Sequence, residues 1–271
     1  MKKRNKFELS NQEKFVLAHK RHHKEIALYR IIILLGFIFL WEMSVYFNWI
    51  DAFFFSSPSR IFHTIVQLII NKDLLIHIGI TLVETFLSFF LVCIISLIVS
   101  TALWYSTKLS EVLEPYLVIL NSLPKSALAP LFIVWLGTGI TTIIVAGISV
   151  AVFGSIISFY TGFKQISNEK ITLIYTLGGN KRQAFSKVVL PGSVPILIST
   201  AKVNIGLSLV GVIIGEFLAA RRGLGYLIIY GSQVFQLDMV ISSILILCII
   251  AMIFYKGIQY LEHKIKKKIS S

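Results

Sequence analysis

The chain has 271 residues, 56% of them hydrophobic and 14% charged, with a mean hydropathy of +0.81. Soluble domains carry roughly a quarter charged residues, so charge is too scarce here to coat a globule. A disordered chain, a collagen-like repeat and an ordinary cytosolic enzyme are excluded. The formal net charge of +13 fits contact with either a nucleic acid or an anionic membrane surface, and position decides between them.

Residues 1–29 form a basic tail, and Ile31 to Leu40 then runs without a polar side chain. The leading polar segment is too long, and a small-residue cleavage site is missing, for a cleavable signal peptide. The first span is set at about 30–47, closing on the interfacial aromatics Trp41, Tyr46 and Trp49, with Glu42 near its outer end. The following spans are 78–105, 115–136, 140–163, 195–220 and 239–260, each long enough for the ~20 residues that cross ~30 Å of hydrocarbon. Backbone groups in lipid must bond within their own segment, so the spans are helices. The expected fold is an all-α integral membrane protein of about six transmembrane helices, with a membrane domain over 30–262 and a basic tail over 263–271.

Apart from Lys125 and Lys202, the Lys and Arg residues divide twenty on one side of this layout to four (Arg60, Lys72, Arg221 and Arg222) on the other. That asymmetry puts both termini in the cytoplasm. A nucleic-acid binder would show a folded basic face with interleaved aromatics, and none is visible. Cys93 and Cys248 lie in apolar runs without a neighbouring His or Cys, and are expected to be small buried hydrophobes rather than metal ligands or a disulfide.

The informative stretch is the loop 164–194. Ser167 is a candidate N-cap with Glu169 in the first turn, where the helix dipole favours an acid. Ile171, Ile174 and Leu177 share one face, and Gly178-Gly179 breaks the helix. Asn180 then caps a second helix, with Ala184, Phe185, Val188 and Val189 on one side and Lys181, Arg182 and Lys187 on another. Pro191 is expected to end it, having no N–H for the next helical bond. By physics alone this helix–turn–helix suits either lipid headgroups or a groove on a protein.

Gly178, nine residues, then Val188-Val189-Leu190-Pro191 resembles the signature loop of binding-protein-dependent ABC importer permeases. Within that superfamily the chain is most similar to the nitrate/sulfonate/taurine-type permeases. Other fragments agree in order over roughly 40–262: Trp41-Glu42 with Ser57-Pro58-Ser59, Leu123-Pro124-Lys125-Ser126 through Trp135-Leu136-Gly137, and Glu216-Phe217-Leu218 with Arg222-Gly223-Leu224-Gly225. The chain departs from the pattern at Thr172-Leu173-Ile174, where the family has Glu-Ala-Ala; Glu169, about one turn earlier, is the candidate substitute. Ser88, Ser96 and Ser100 stand at glycine positions, and Glu84 stands where a basic residue is expected.

The resemblance implies a type I importer fold in which 164–194 is a cytoplasmic coupling loop. Glu169, Thr172, Gly178, Gly179, Lys181, Arg182, Val188, Leu190 and Pro191 would engage an ABC ATPase present in two copies. It also implies a second permease subunit, expected to be another copy of this chain, and an extracytoplasmic solute-binding protein, all in the plasma membrane with its lipid. No Gly-x-x-x-x-Gly-Lys-Ser/Thr occurs, so ATP and magnesium are expected on the ATPase, with no cofactor, metal or catalytic residue on this chain.

Intramembrane charges are costly and therefore informative. Lys125, between Pro124 and Pro130, and Glu216 are candidates for the translocation path. Each has a plainer reading, Lys125 as a snorkelling or paired lysine and Glu216 as a loop brace with Arg221 or Arg222. Lys202 is expected to reach the inner interface along its stem. Gly211 and Gly215 form a GxxxG packing motif, within or between subunits. An ATP-independent transporter would tend to show related halves, and a membrane enzyme a convergent catalytic set; neither signature is found.

Overall fold

The computed structural model describes residues 11–71 and 73–269. The basic tails assigned to 1–29 and 263–271 lie partly outside these residues. All regular structure among them is helical: α1 Asn11–Tyr46, α2 Ala52–Phe55, α3 Pro58–Ile70, α4 Asp73–Tyr105, α5 Thr107–Ser122, α6 Lys125–Leu136, α7 Ile140–Lys164, α8 Asn168–Thr176, α9 Lys181–Ala184, a π turn Phe185–Val189, α10 Leu190–Ala219, α11 Leu224–Gln233 and α12 Leu237–Ile269. Five stretches are long and apolar enough to cross a membrane, and the bent pair α5–α6 makes a sixth if taken as one broken span.

The chain divides into two compact units at His63–Thr64. In the first, the apolar stretch of α1 is exposed on every side, which suits lipid. Glu42 accepts from the Ser59 N–H (3.1 Å) and hydroxyl (2.7 Å), satisfying orphan donors at the start of α3, where Pro58 fits the first helical position.

The second unit is built on α7 and α10, with α4 packed on both. Small residues let the backbones close. A Cβ on Gly211 would come 2.7 Å from Gly147 Cα, and one on Gly215 would come 2.8 Å from Ile143 Cα. The GxxxG face therefore seats on α7 of the same chain. Ser88 and Ser96 of α4, both buried, donate to the Ile144 and Val152 carbonyls of α7, each at 3.3 Å. Asn204 of α10 donates to Ser155 of α7 at 2.8 Å.

Three expectations change. The stretch 115–136 is not one straight helix, because α5 and α6 meet at 96°. Pro124 removes a donor and holds Leu123 extended (φ −64°, ψ 140°), which breaks the span. Pro191 does not end a helix: the chain stays helical from Lys181 to Ala219. The π turn Phe185–Val189 resets the register, so Pro191 falls in the first turn of α10, where its missing N–H costs little. Finally, Cys93 is half-buried and Cys248 exposed rather than buried, since Cys248 lies on a face of α12 that the chain's own core leaves uncovered.

Candidate functional site

The two ends of the α7–α10 pair carry the unusual chemistry. At one end α8 and α9 form the predicted helix–turn–helix. Ser167 stands at the N-cap of α8 without a side-chain cap bond, and Glu169 and Thr172 are exposed on its first turns. Gly178 has φ +80°, a left-handed conformation that glycine adopts without a Cβ penalty, with open space around it. A Cβ on Gly179 would come 2.8 Å from the Ile174 carbonyl. Asn180 and Gln183 then make a reciprocal capping box, with bonds of 3.0 and 2.8 Å.

An aromatic cluster absent from the sequence reading anchors this segment. Phe185 rings lie 5.1 Å from Trp104, 5.5 Å from Tyr105 and 5.4 Å from Phe163, centroid to centroid. Val189 and Phe163 are fully buried beneath it, with Ile171 and Leu190 packed against them. Lys181 reaches back to the end of α4: its Nζ donates to the Tyr105 carbonyl at 2.9 Å and lies 5.6 Å from the Trp104 ring centroid. Arg182 remains exposed, Val188 is half-buried and Pro191 is exposed. The missed signal was the Trp104-Tyr105 pair closing span two opposite Phe163 closing span four. Above the anchor, Leu173, Tyr175 and Leu177 project into the open, Leu177 at 76% exposure.

At the opposite end Glu216 is 1% exposed. Its Oε1 accepts from Thr81 (2.6 Å) and its Oε2 from the Gly225 N–H (2.5 Å), with a further bond from the Tyr226 N–H. Thr81 in turn accepts from the Leu224 N–H at 2.9 Å, and the Gly223 N–H donates to His77 Nδ1 at 2.8 Å. One carboxylate of α10 thus holds orphan amides at the start of α11, where the helix dipole favours an anion. Gly223, at φ +119°, and Gly225 leave room that a Cβ would take from the carboxylate. The brace is made to backbone amides rather than to Arg221 or Arg222. Glu84, also buried, lies against Glu216.

The other intramembrane cations are engaged. Lys125 donates to the carbonyls of Leu120 (2.5 Å) and Asn121 (2.7 Å), closing the C-terminal end of α5. Lys202 forms an ion pair with Glu262 of α12. Among the described residues no group of three or more His, Cys, Asp or Glu is placed to hold a metal ion.

Comparison with known proteins gives a consistent set. The model of a family described as "Binding-protein-dependent transport system inner membrane component" matches residues 94–267. A protein of Haemophilus influenzae named "Probable ABC transporter permease protein" is 28% identical over 242 residues, 89% of this chain and 98% of that protein. The taurine transport system permease protein of Escherichia coli is 26% identical over 190 residues, 70% of this chain and 69% of that protein. In structure, a chain of the MetNI methionine ABC transporter in an inward-facing conformation aligns with a TM-score of 0.63 at 20% identity, covering 72% of this chain and 97% of that one. The architecture is therefore the type I importer permease fold.

Proposed function

Because this chain belongs to the family of binding-protein-dependent transport system inner membrane components, we propose that it is the transmembrane permease subunit of an ATP-driven importer, forming half of a solute path. The second half is another copy of this chain. Two copies of a separate ATPase bind and hydrolyse ATP with magnesium, and an extracytoplasmic binding protein delivers the solute. The α8–α9 end and both termini face the cytoplasm of the plasma membrane, following the basic residues. The similarity to the taurine permease supports a small solute of the nitrate, sulfonate or taurine class.

The observation that carries this reading is an exposed apolar tip on a fixed base. Leu173, Tyr175 and Leu177 stand in the open at the loop end, where an unfilled apolar patch marks a binding surface. The base is the aromatic cluster with the Lys181 tether. From Lys181 the chain is helical without a break to Ala219. A groove that grips the tip and shifts as ATPase subunits close would pull on that rod, carrying movement to the Glu216 end. Gly178 lets the tip fold back sharply without a side chain in the way.

Copurification with a P-loop ABC ATPase is the test. Paired substitution Leu173→Asp and Leu177→Asp removes the apolar grip, and is expected to cut ATPase capture about tenfold or more. Charge reversal at Lys181 and Arg182, and a bulky residue at Gly178, are expected to reduce capture and solute uptake as well. Full capture and uptake by all of these variants would overturn the assignment.

A further inference from the structure

Glu84 of α4 is a buried acid that neither the loop nor the proposed import cycle uses. It is 3% exposed, and its side chain is hydrogen-bonded to that of Glu216. Its Oε2 is sealed from solvent, and no N–H, hydroxyl or cation donates to it. A hydrogen bond between two carboxyl groups needs a proton on one of them, since ionised carboxylates only accept. Glu216 is already supplied with donors on both oxygens, from Thr81 and from the Gly225 and Tyr226 N–H groups. Glu84 has none, and ionised it would hold a charge in a sealed site with a second carboxylate beside it. No neighbouring group offers a compensating cation. On α4, His77 Nδ1 accepts from the Gly223 N–H at 2.8 Å, and Tyr226 of α11 stacks on the His77 ring. Ile140 and Ile143 of α7, which line the same cavity as Glu84, carry no charge, and Arg221 and Arg222 beyond α10 are exposed and leave Oε2 unbonded.

We propose that Glu84 is a positioning residue in its neutral acid form, and that its single proton pins α4 to α10. The Glu84 hydroxyl donates to Glu216, and Thr81, three residues earlier on the same face of α4, donates to the same carboxylate. Glu216 in turn holds the first amides of α11, so one proton ties three helices at this end. Hydrogen bonds to an ionised acceptor are roughly twice as strong as neutral ones. Without the proton the contact becomes two like charges in a buried place, and it pushes α4 from α10 instead of holding it. The pin is thus a bound proton as much as a pair of side chains. It stands on packing alone and does not depend on the solute carried or on the ATPase.

Infrared spectroscopy of the full chain in lipid nanodiscs at neutral pH tests the proposal, because the carbonyl stretch of a protonated carboxyl is separate from the carboxylate bands. The unaltered chain is expected to show that acid band, and Glu84→Gln to lose it. The glutamine amide has the same shape and donates without a titrating proton. Glu84→Gln is therefore expected to keep the unfolding midpoint and the slow hydrogen exchange of the Gly225 and Tyr226 amides. Glu84→Leu fills the space but cannot donate. It is expected to lower the midpoint by several degrees and to speed exchange over 224–227 about tenfold. A side chain that merely filled space would be replaced well by leucine and poorly by glutamine, and that order would overturn the proposal. So would a spectrum of the unaltered chain without the acid band, or a band that survives in Glu84→Gln. These two spectra decide the matter even if Glu84→Leu fails to fold.

Discussion

The α8–α9 end and the α11 end of the same helix pair differ in what adds to their apolar packing. At α8–α9 the contacts are aromatic and apolar, centred on Phe185, and the tip beyond them is exposed. At α11 hydrogen bonds that converge on one carboxylate are added to the apolar packing of Leu224 and Leu227, and nearly every group is buried. Apolar contact is non-directional and tolerates a small slide of one surface on another. A carboxylate bonded to three donors fixes distance and angle together. The loop end is thus held by contacts that allow a slide, and the far end by contacts that fix it as a unit.

Independence of the two ends is open to direct attack. The largest effect is expected from Glu216→Ala, which strands the Gly225 and Tyr226 amides and the Thr81 hydroxyl in a buried site. At about 1–3 kcal/mol for each stranded group, the loss is about 4 kcal/mol, read as a lowered unfolding midpoint. Hydrogen exchange should accelerate over 224–227 and stay unchanged over 168–184. Phe185→Ala is expected to cost somewhat less, about 3 kcal/mol, by opening a cavity among Trp104, Tyr105 and Phe163. Its exchange pattern should be the reverse, fast over 168–184 and unchanged over 224–227. If either variant loosens both ends equally, the division between them is wrong.

Much of this is legible in the sequence, and the gaps have physical causes. Composition and run length show the spans, because lipid forces apolar helices of a set length. Gly178 is readable since it imposes a backbone conformation whatever surrounds it, whereas the break that Pro124 makes within 115–136 was not. The expected stop at Pro191 failed because the π turn that absorbs it is anchored by tertiary contacts of Phe185 and Val189, which local rules do not contain. Glu84 and Glu216 are far apart in sequence, so their adjacency follows only once α4 and α10 are packed. The GxxxG motif announced close packing but not its partner, which proved to be α7. Lys125 looked exceptional as an intramembrane charge, yet it closes the end of α5, a role set by the 96° bend.

The finest cut between the two ends comes from their positive-φ glycines. Gly178 and Gly223 both hold a conformation unfavourable to a side chain, at φ +80° and +119°. Around Gly178 there is open space, whereas a Cβ on Gly223 would overlap the Glu216 carboxylate. Gly178→Ala therefore carries only the backbone cost, about 1–2 kcal/mol, and it can relieve that cost by shifting the exposed tip. Thermal unfolding should fall by a few degrees at most, while capture of the ATPase drops because the tip no longer presents Leu173, Tyr175 and Leu177 in one arrangement. Gly223→Ala adds a steric overlap to the same backbone cost and has no open side toward which to move. It should lower the unfolding midpoint well below that of Gly178→Ala while leaving the tip as it was. Equal destabilisation by the two alanines would mean that the far end yields as readily as the loop, and the rigid half of the comparison would fall.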